Sequence, residues 1–205
     1  MTYSRSLLAA AVLAISAPAF ANTTTTLDFD NIATFDSVAD SYLASAGLSF
    51  TGSALGLQAA DGDYSNAPSQ AGVMFVNPYE TFTVLSSLSG HDFVGQVSFF
   101  FSNASSPALL VQAFSGANGT GKKVGEYGTF TSYAQENGCS DTSYCNWAQG
   151  GFGITGSAKS IVIYSNNGTG YDNLTVTTVP EPASYAMLAG GLLALGFMAR
   201  RRKQG

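Results

Sequence analysis

Histidine and tryptophan occur once each in this 205-residue chain, cysteine twice, and charged residues make up only 10% of it. Each scarcity excludes a class of chemistry. A closed zinc site needs four nitrogen, sulfur or carboxylate ligands, and the two cysteines have no second pair and only one remote histidine, His91, to join them. No Gly-x-Ser-x-Gly elbow, no His-Glu-x-x-His pair and no glycine-rich phosphate loop ahead of a helix is present, so the signatures of serine hydrolases, zincins and nucleotide-binding enzymes are missing. His91 lies in Ser89-Gly90-His91-Asp92, which reads as a turn between two strands; a general base there would lack any nucleophile signature to serve. Asp61, Asp63, Glu80, Glu126 and Glu136 could supply a glycosidase pair, but their spacing selects no two of them. The expectation is a non-catalytic protein. An enzyme acting on extracellular polysaccharide and a purely structural surface protein are the alternatives.

Bases are scarce in the middle of the chain. Residues 22–179 hold twelve acids and three bases, Lys122, Lys123 and Lys159, a net charge of −9 against −5 for the whole sequence. So acidic a surface argues against nucleic acid and against anionic membrane as partners.

Long apolar runs occur only at the two ends. Residues 1–21 carry Arg5, then an apolar stretch over 7–15, then Ala19-Phe20-Ala21, which fits the small-x-small rule for removal of a signal peptide before Asn22. At the other end stands Val179-Pro180-Glu181-Pro182, followed by seventeen uncharged residues, 183–199, and then Arg200-Arg201-Arg202-Lys203. As a helix the uncharged run spans about 25 Å, enough for a thin bilayer, and lipid admits only an internally bonded segment. The cations stay cytoplasmic and leave everything before Pro180 outside.

That order of motif, apolar helix and basic cluster resembles the PEP-CTERM sorting signal of Gram-negative bacteria. The resemblance covers about residues 179–203 and rests on Val179, Pro180, Glu181, Pro182, Arg200, Arg201 and Arg202. It implies that exosortase, a membrane-embedded transpeptidase-like enzyme, reads the tail and cleaves near the motif, with the inner membrane holding the helix before processing. It further implies an envelope, surface or extracellular-matrix location and an association with exopolysaccharide and biofilm. The expected organisation is a signal peptide over 1–21, a body over 22–178 and the sorting signal over 179–205.

The body reads as all-β. Short alternating segments at 24–30, 47–52, 54–60, 72–76, 80–85, 93–101, 109–114, 123–130, 160–164 and 174–176 are separated by Gly, Asn, Ser and Asp. This is the pattern of a β-sandwich, here expected to be a jelly roll, with a C-terminal transmembrane helix appended. Phe99-Phe100-Phe101 does not alternate, which predicts a central strand buried on both faces. One short helix is expected over 34–43, with Phe35, Val38 and Tyr42 on one stripe and Gly47 beyond its end.

In an exported chain Cys139 and Cys145 are expected to form a disulfide that shapes the loop over 134–150. The loop between them is short, so its contribution is about 2–3 kcal/mol. It carries Tyr144, Asn146 and Trp147, an aromatic and amide set suited to a sugar, although Trp147 would equally serve as a local core beneath its own loop. Asp61-Gly62-Asp63 reads as a solvated turn, since an EF-hand spacing is lacking. An early Phe29-Asp30-Asn31 and a late Tyr171-Asp172-Asn173-Leu174 resemble, loosely, other PEP-CTERM bodies and jelly-roll carbohydrate-binding modules, in which a structural calcium ties the ends. The resemblance implies calcium at Asp28, Asp30 and Asp172, if first and last strands pair. Asx-turns and strand-end hydrogen bonds would use the same residues.

Overall fold

The computed structural model describes residues 22–62, 64–69, 71–87, 91–103, 108–130, 141–166, 168–180 and 191. The expected signal peptide over 1–21, the run over 183–199 apart from Gly191, and Glu181, Pro182, Arg200, Arg201, Arg202, Asp63, Glu136 and Cys139 lie outside the described residues.

Eleven strands are described: β1 (Thr23–Leu27), β2 (Leu48–Phe50), β3 (Ala54–Gln58), β4 (Gly72–Val76), β5 (Phe82–Ser87), β6 (His91–Ser102), β7 (Ala108–Phe114), β8 (Lys123–Thr129), β9 (Ala148–Gly153), β10 (Ser160–Tyr164) and β11 (Gly170–Pro180). They form two antiparallel sheets, β3-β4-β11-β6-β9 with β1 alongside β11, and β2-β5-β10-β7-β8. From β4 onward the chain crosses between sheets so that β4-β11-β6-β9 face β5-β10-β7-β8, which is the jelly-roll arrangement. The strands β1, β2 and β3 extend it at its margins.

Alternation builds the core. Phe93, Val97, Phe99 and Phe101 of β6 share one face and are buried, opposite Ile161 and Ile163 of β10 and Leu110 and Ala113 of β7. Phe100 is only partly buried on the other face. The strand is central, between β11 and β9, but the phenylalanine run alternates as any other strand does, and the expected two-faced burial does not hold. The strand that is buried throughout is β4: Met74 and Val76 enter the main core, while Val73 and Phe75 enter a second apolar cluster on the outer face.

First and last strands pair, as expected, with Thr23 opposite Thr178 and Leu27 opposite Leu174. Thr24 and Thr26 meet Thr177 and Thr175, hydroxyl to hydroxyl, at 2.8 Å each. Asn173 sits in the left-handed region at φ 48°, beside a register shift in the β11–β6 ladder. This bulge lets Tyr171 and Leu174 both turn into the core.

Two further expectations are corrected, and one strand went unread. Residues 34–42 form turns, and the short α-helix here, α1, spans Leu43–Ala46, closed by Gly47 in the left-handed conformation. The backbone of 35–38 is bonded to Gly56 and Ala54 of β3 instead, and those tertiary bonds outcompete a helix. His91 opens β6 rather than lying in a turn. The glycine-rich strand β9 was not legible as a strand, because Ala-Gln-Gly-Gly-Phe-Gly shows no alternation.

Candidate functional site

The second apolar cluster lies outside the sandwich, where Leu57 of β3 and Val73 and Phe75 of β4 are roofed by two loops. Tyr64 from the first loop is buried and donates its hydroxyl proton to the carbonyl of Gly168. A Cβ at Gly170 would lie 2.4 Å from the Tyr64 ring, so the first residue of β11 has to be glycine for that ring to lie flat on it.

The second loop, 141–147, is stitched to the first. Ser65 N–H donates to the Tyr144 carbonyl at 3.0 Å, Trp147 Nε1 donates to the Ser65 carbonyl at 2.9 Å, and Asn66 Nδ2 reaches Asp141 at 3.3 Å and the Cys145 carbonyl at 3.4 Å. The rings of Tyr64 and Tyr144 lie 4.8 Å apart and tilted by 30°. Trp147 stands 6.2 Å from Tyr64.

Between these loops and the turn at 34–36 runs an open groove of 410 Å³, lined among others by Phe35, Phe75, Tyr64, Tyr144 and Asp61. Phe35 is 67% exposed. Its backbone sits at φ 63°, in the left-handed region that a phenylalanine occupies at a cost of about 1–2 kcal/mol, and its ring meets Phe75 edge-on at 6.1 Å. Asp61 accepts a hydrogen bond from Thr34 at 3.0 Å and supplies the carboxylate of the groove.

Of the three ligand residues read from sequence, Tyr144 lines this groove. Trp147 serves as the local core that fastens the 64–67 loop, and Asn146, half-buried beside it, does not line the groove. Phe35 and Phe75 were missed because each had a structural use in the sequence, one on a helical stripe and one inside an apolar strand. Cys145 is buried next to Tyr144, and no free cysteine occurs among the described residues.

The acids expected to hold calcium do gather where β1 and β11 pair, but each is already bonded. Asp172 is fully buried. Its Oδ1 accepts from the Ser69 hydroxyl and the Asn173 N–H, and its Oδ2 from the Ser69 N–H, all at 2.6 Å. Burial, opposed by those donors and aided by the charge of Asp30, pushes its carboxyl up to about 6. Asp30 Oδ1 accepts from the N–H groups of Ala71 and Gly72 at 3.2 and 3.0 Å. Asp28 accepts from the Tyr42 hydroxyl at 3.3 Å, and burial raises the Tyr42 phenol. Among the described residues no three Asp, Glu, His or Cys side chains converge in a metal-binding cluster. A cation at Asp172 would have to displace N–H and O–H groups that point straight at its oxygens. The donor set therefore suits a buried carboxylate lock and does not suit calcium.

The solved structures similar to this chain include the K1 and K2 cleaved adhesin domains of Lys-gingipain from Porphyromonas gingivalis and a family 29 carbohydrate-binding module from Piromyces equi. The K1 domain is 13% identical, with 77% of this chain and 95% of that one covered at a TM-score of 0.44. The K2 domain is 12% identical, covering 77% and 97% at 0.46. The Piromyces equi module is 10% identical, covering 80% and 94% at 0.43. No curated protein matches the sequence. Residues 178–203 match the family described as the PEP-CTERM protein-sorting motif, so the chain carries the recognition signal for exosortase processing, which implies export and an envelope or surface location.

Proposed function

We propose that the body of this protein is a non-catalytic carbohydrate-binding module, and that its ligand is the exopolysaccharide of the producing cell's own envelope or biofilm matrix. One observation carries the reading. An exposed phenylalanine in a strained backbone, Phe35, lines a groove together with the Tyr64–Tyr144 pair and the acid Asp61. Aromatic faces that cover the apolar side of a pyranose, with a polar group to accept from its hydroxyls, are the chemistry of a sugar cleft. Glycoside hydrolysis needs two carboxyls across one bond, whereas Asp61 is the one acid among the described groove residues, which favours binding over hydrolysis. A disulfide between Cys145 and Cys139 belongs to the proposal, since it would hold the 141–147 loop that presents Tyr144.

A glycan array probed with the exported protein tests the reading. Binding to acidic or neutral polysaccharide is expected with and without EDTA, and Tyr144→Ala is expected to weaken it about tenfold, the cost of an aromatic anchor. Turnover of the polysaccharide, or no binding at all, would overturn it.

A further inference from the structure

The matched sorting motif begins inside the sandwich. It covers residues 178–203, whereas β11 runs over Gly170–Pro180, so Thr178, Val179 and Pro180 belong to both. Their register partners in β6 are Phe93, Asp92 and His91. Thr178 is also the partner of Thr23 of β1, which gives it a strand on each side, and it is buried. The stretch of β6 that holds them is itself fastened. Phe93 exchanges N–H···O bonds with Ala158 at 2.8 and 2.9 Å, Asp92 accepts from the Ser157 hydroxyl at 2.7 Å, and the Ser87 hydroxyl donates to the His91 carbonyl.

Both backbone groups of Phe93 are spent on Ala158. The alternation of an antiparallel ladder then turns those of Val179 toward Asp92 and those of Thr178 toward Thr23. Pro180 falls opposite His91 on a position that asks for no N–H, which is why a proline can close the strand. An enzyme that cuts a peptide takes it as an extended strand and bonds its backbone in its own cleft. Residues up to Val179 have already given those groups to β1 and β6. The first peptide bond beyond the ladder is Pro180–Glu181.

We infer that the folded body is the stop for its own maturation: it withholds every bond up to Val179–Pro180 from exosortase, which breaks a peptide bond on the C-terminal side of Pro180. In that step the acyl carbon on the body side passes to a nucleophile, water or an acceptor amine. The amine on the other side of the broken bond takes up the proton and leaves with the tail. A cut at Thr178 or earlier would strip Thr23 of its partner, whereas a cut beyond Pro180 leaves the β1–β11–β6 ladder whole. The mature protein therefore keeps all of β11. This stands on the ladder and the matched motif alone, independently of the aromatic groove.

Mass spectrometry of the mature protein from the producing cell tests this. No lysine or arginine lies between Lys159 and Arg200, so the tryptic peptide that begins at Ser160 carries the new C-terminus and its fragments read it. It is expected to end at Pro180 or beyond. An end at Val179 or earlier overturns the inference, and so does a peptide that still runs to Arg200. Two register variants then separate the fold from the motif. Deleting Thr177 and Thr178, an even number that keeps the in–out alternation, draws the Pro–Glu bond into the ladder beside β1. Processing in the producing cell is expected to slow about tenfold, because the strand end must first open locally. Inserting Gly-Ser between Thr178 and Val179 moves the same bond outward and should leave processing at least as fast as wild type. A deletion variant processed at the wild-type rate, or equal slowing in both variants, overturns the inference.

Discussion

The carboxyl of Asp172 accepts three hydrogen bonds in a place from which water is excluded, and its protonation is thereby linked to folding. Its pKa in the folded protein, about 6, lies above the ordinary 3.8. Between those values the folded state binds more protons than the unfolded one, so this group's contribution is greatest at low pH and declines as pH rises towards 6. Melting temperatures recorded from pH 4 to 7 should fall more steeply for the wild type than for Asp172→Asn. Parallel curves would contradict the assignment. Calcium makes the opposite kind of prediction. EDTA should leave the melting temperature of the wild type unchanged, and a rise on adding calcium chloride would show that an ion displaces the Ser69 donors. What the sequence made legible here was the meeting of Asp28, Asp30 and Asp172. What it could not show was Ser69, a loop serine 103 positions from Asp172 in the chain, which takes the lone pairs an ion would need.

At the scale of elements, the strands were readable where inward and outward residues alternate, and unreadable where another element supplied the reason for the conformation. The segment over 34–42 has a helical stripe, yet its amides bond to β3. The strand β9 has three glycines among its six residues, and no local signal replaces the partner strand β6 that holds it. Gly170 offers a test of how two elements fix the groove between them. Gly170→Ala would push the Tyr64 ring off β11, with a destabilisation of about 1–3 kcal/mol from overpacking. Tyrosine fluorescence and melting should both change, whereas the same substitution at Gly52, which has nothing within 4 Å, should leave both near wild type. The proposed bridge between Cys145 and Cys139 can be tested on the loop over 141–147 in the same way. Reduction is expected to cost about 2–3 kcal/mol at most and to weaken glycan binding more than it lowers the melting temperature, because Tyr144 stands on that loop. Equal losses in both, measured by calorimetry, would place the bridge in the general stability of the body instead.

Across the whole molecule, trafficking was the most legible property. Lipid excludes charge, so an apolar run closed by arginines is conspicuous in sequence alone, and residues 178–203 match the sorting motif expected there. The groove was only partly legible. Tyr144 declared itself as a loop aromatic, while Phe35 and Phe75 are brought to the same place by chain segments 40 residues apart, and no local pattern records that meeting.

The most direct test of the central claim, that the aromatic groove holds carbohydrate, is a calorimetric titration of the producer's own exopolysaccharide into wild-type protein and into a Phe35→Ala, Tyr144→Ala double variant. The account predicts saturable binding by the wild type and a loss of about a hundredfold in the double variant, with its melting temperature little changed, since both rings border the groove rather than fill the main core. Equal affinity in the two proteins would contradict it.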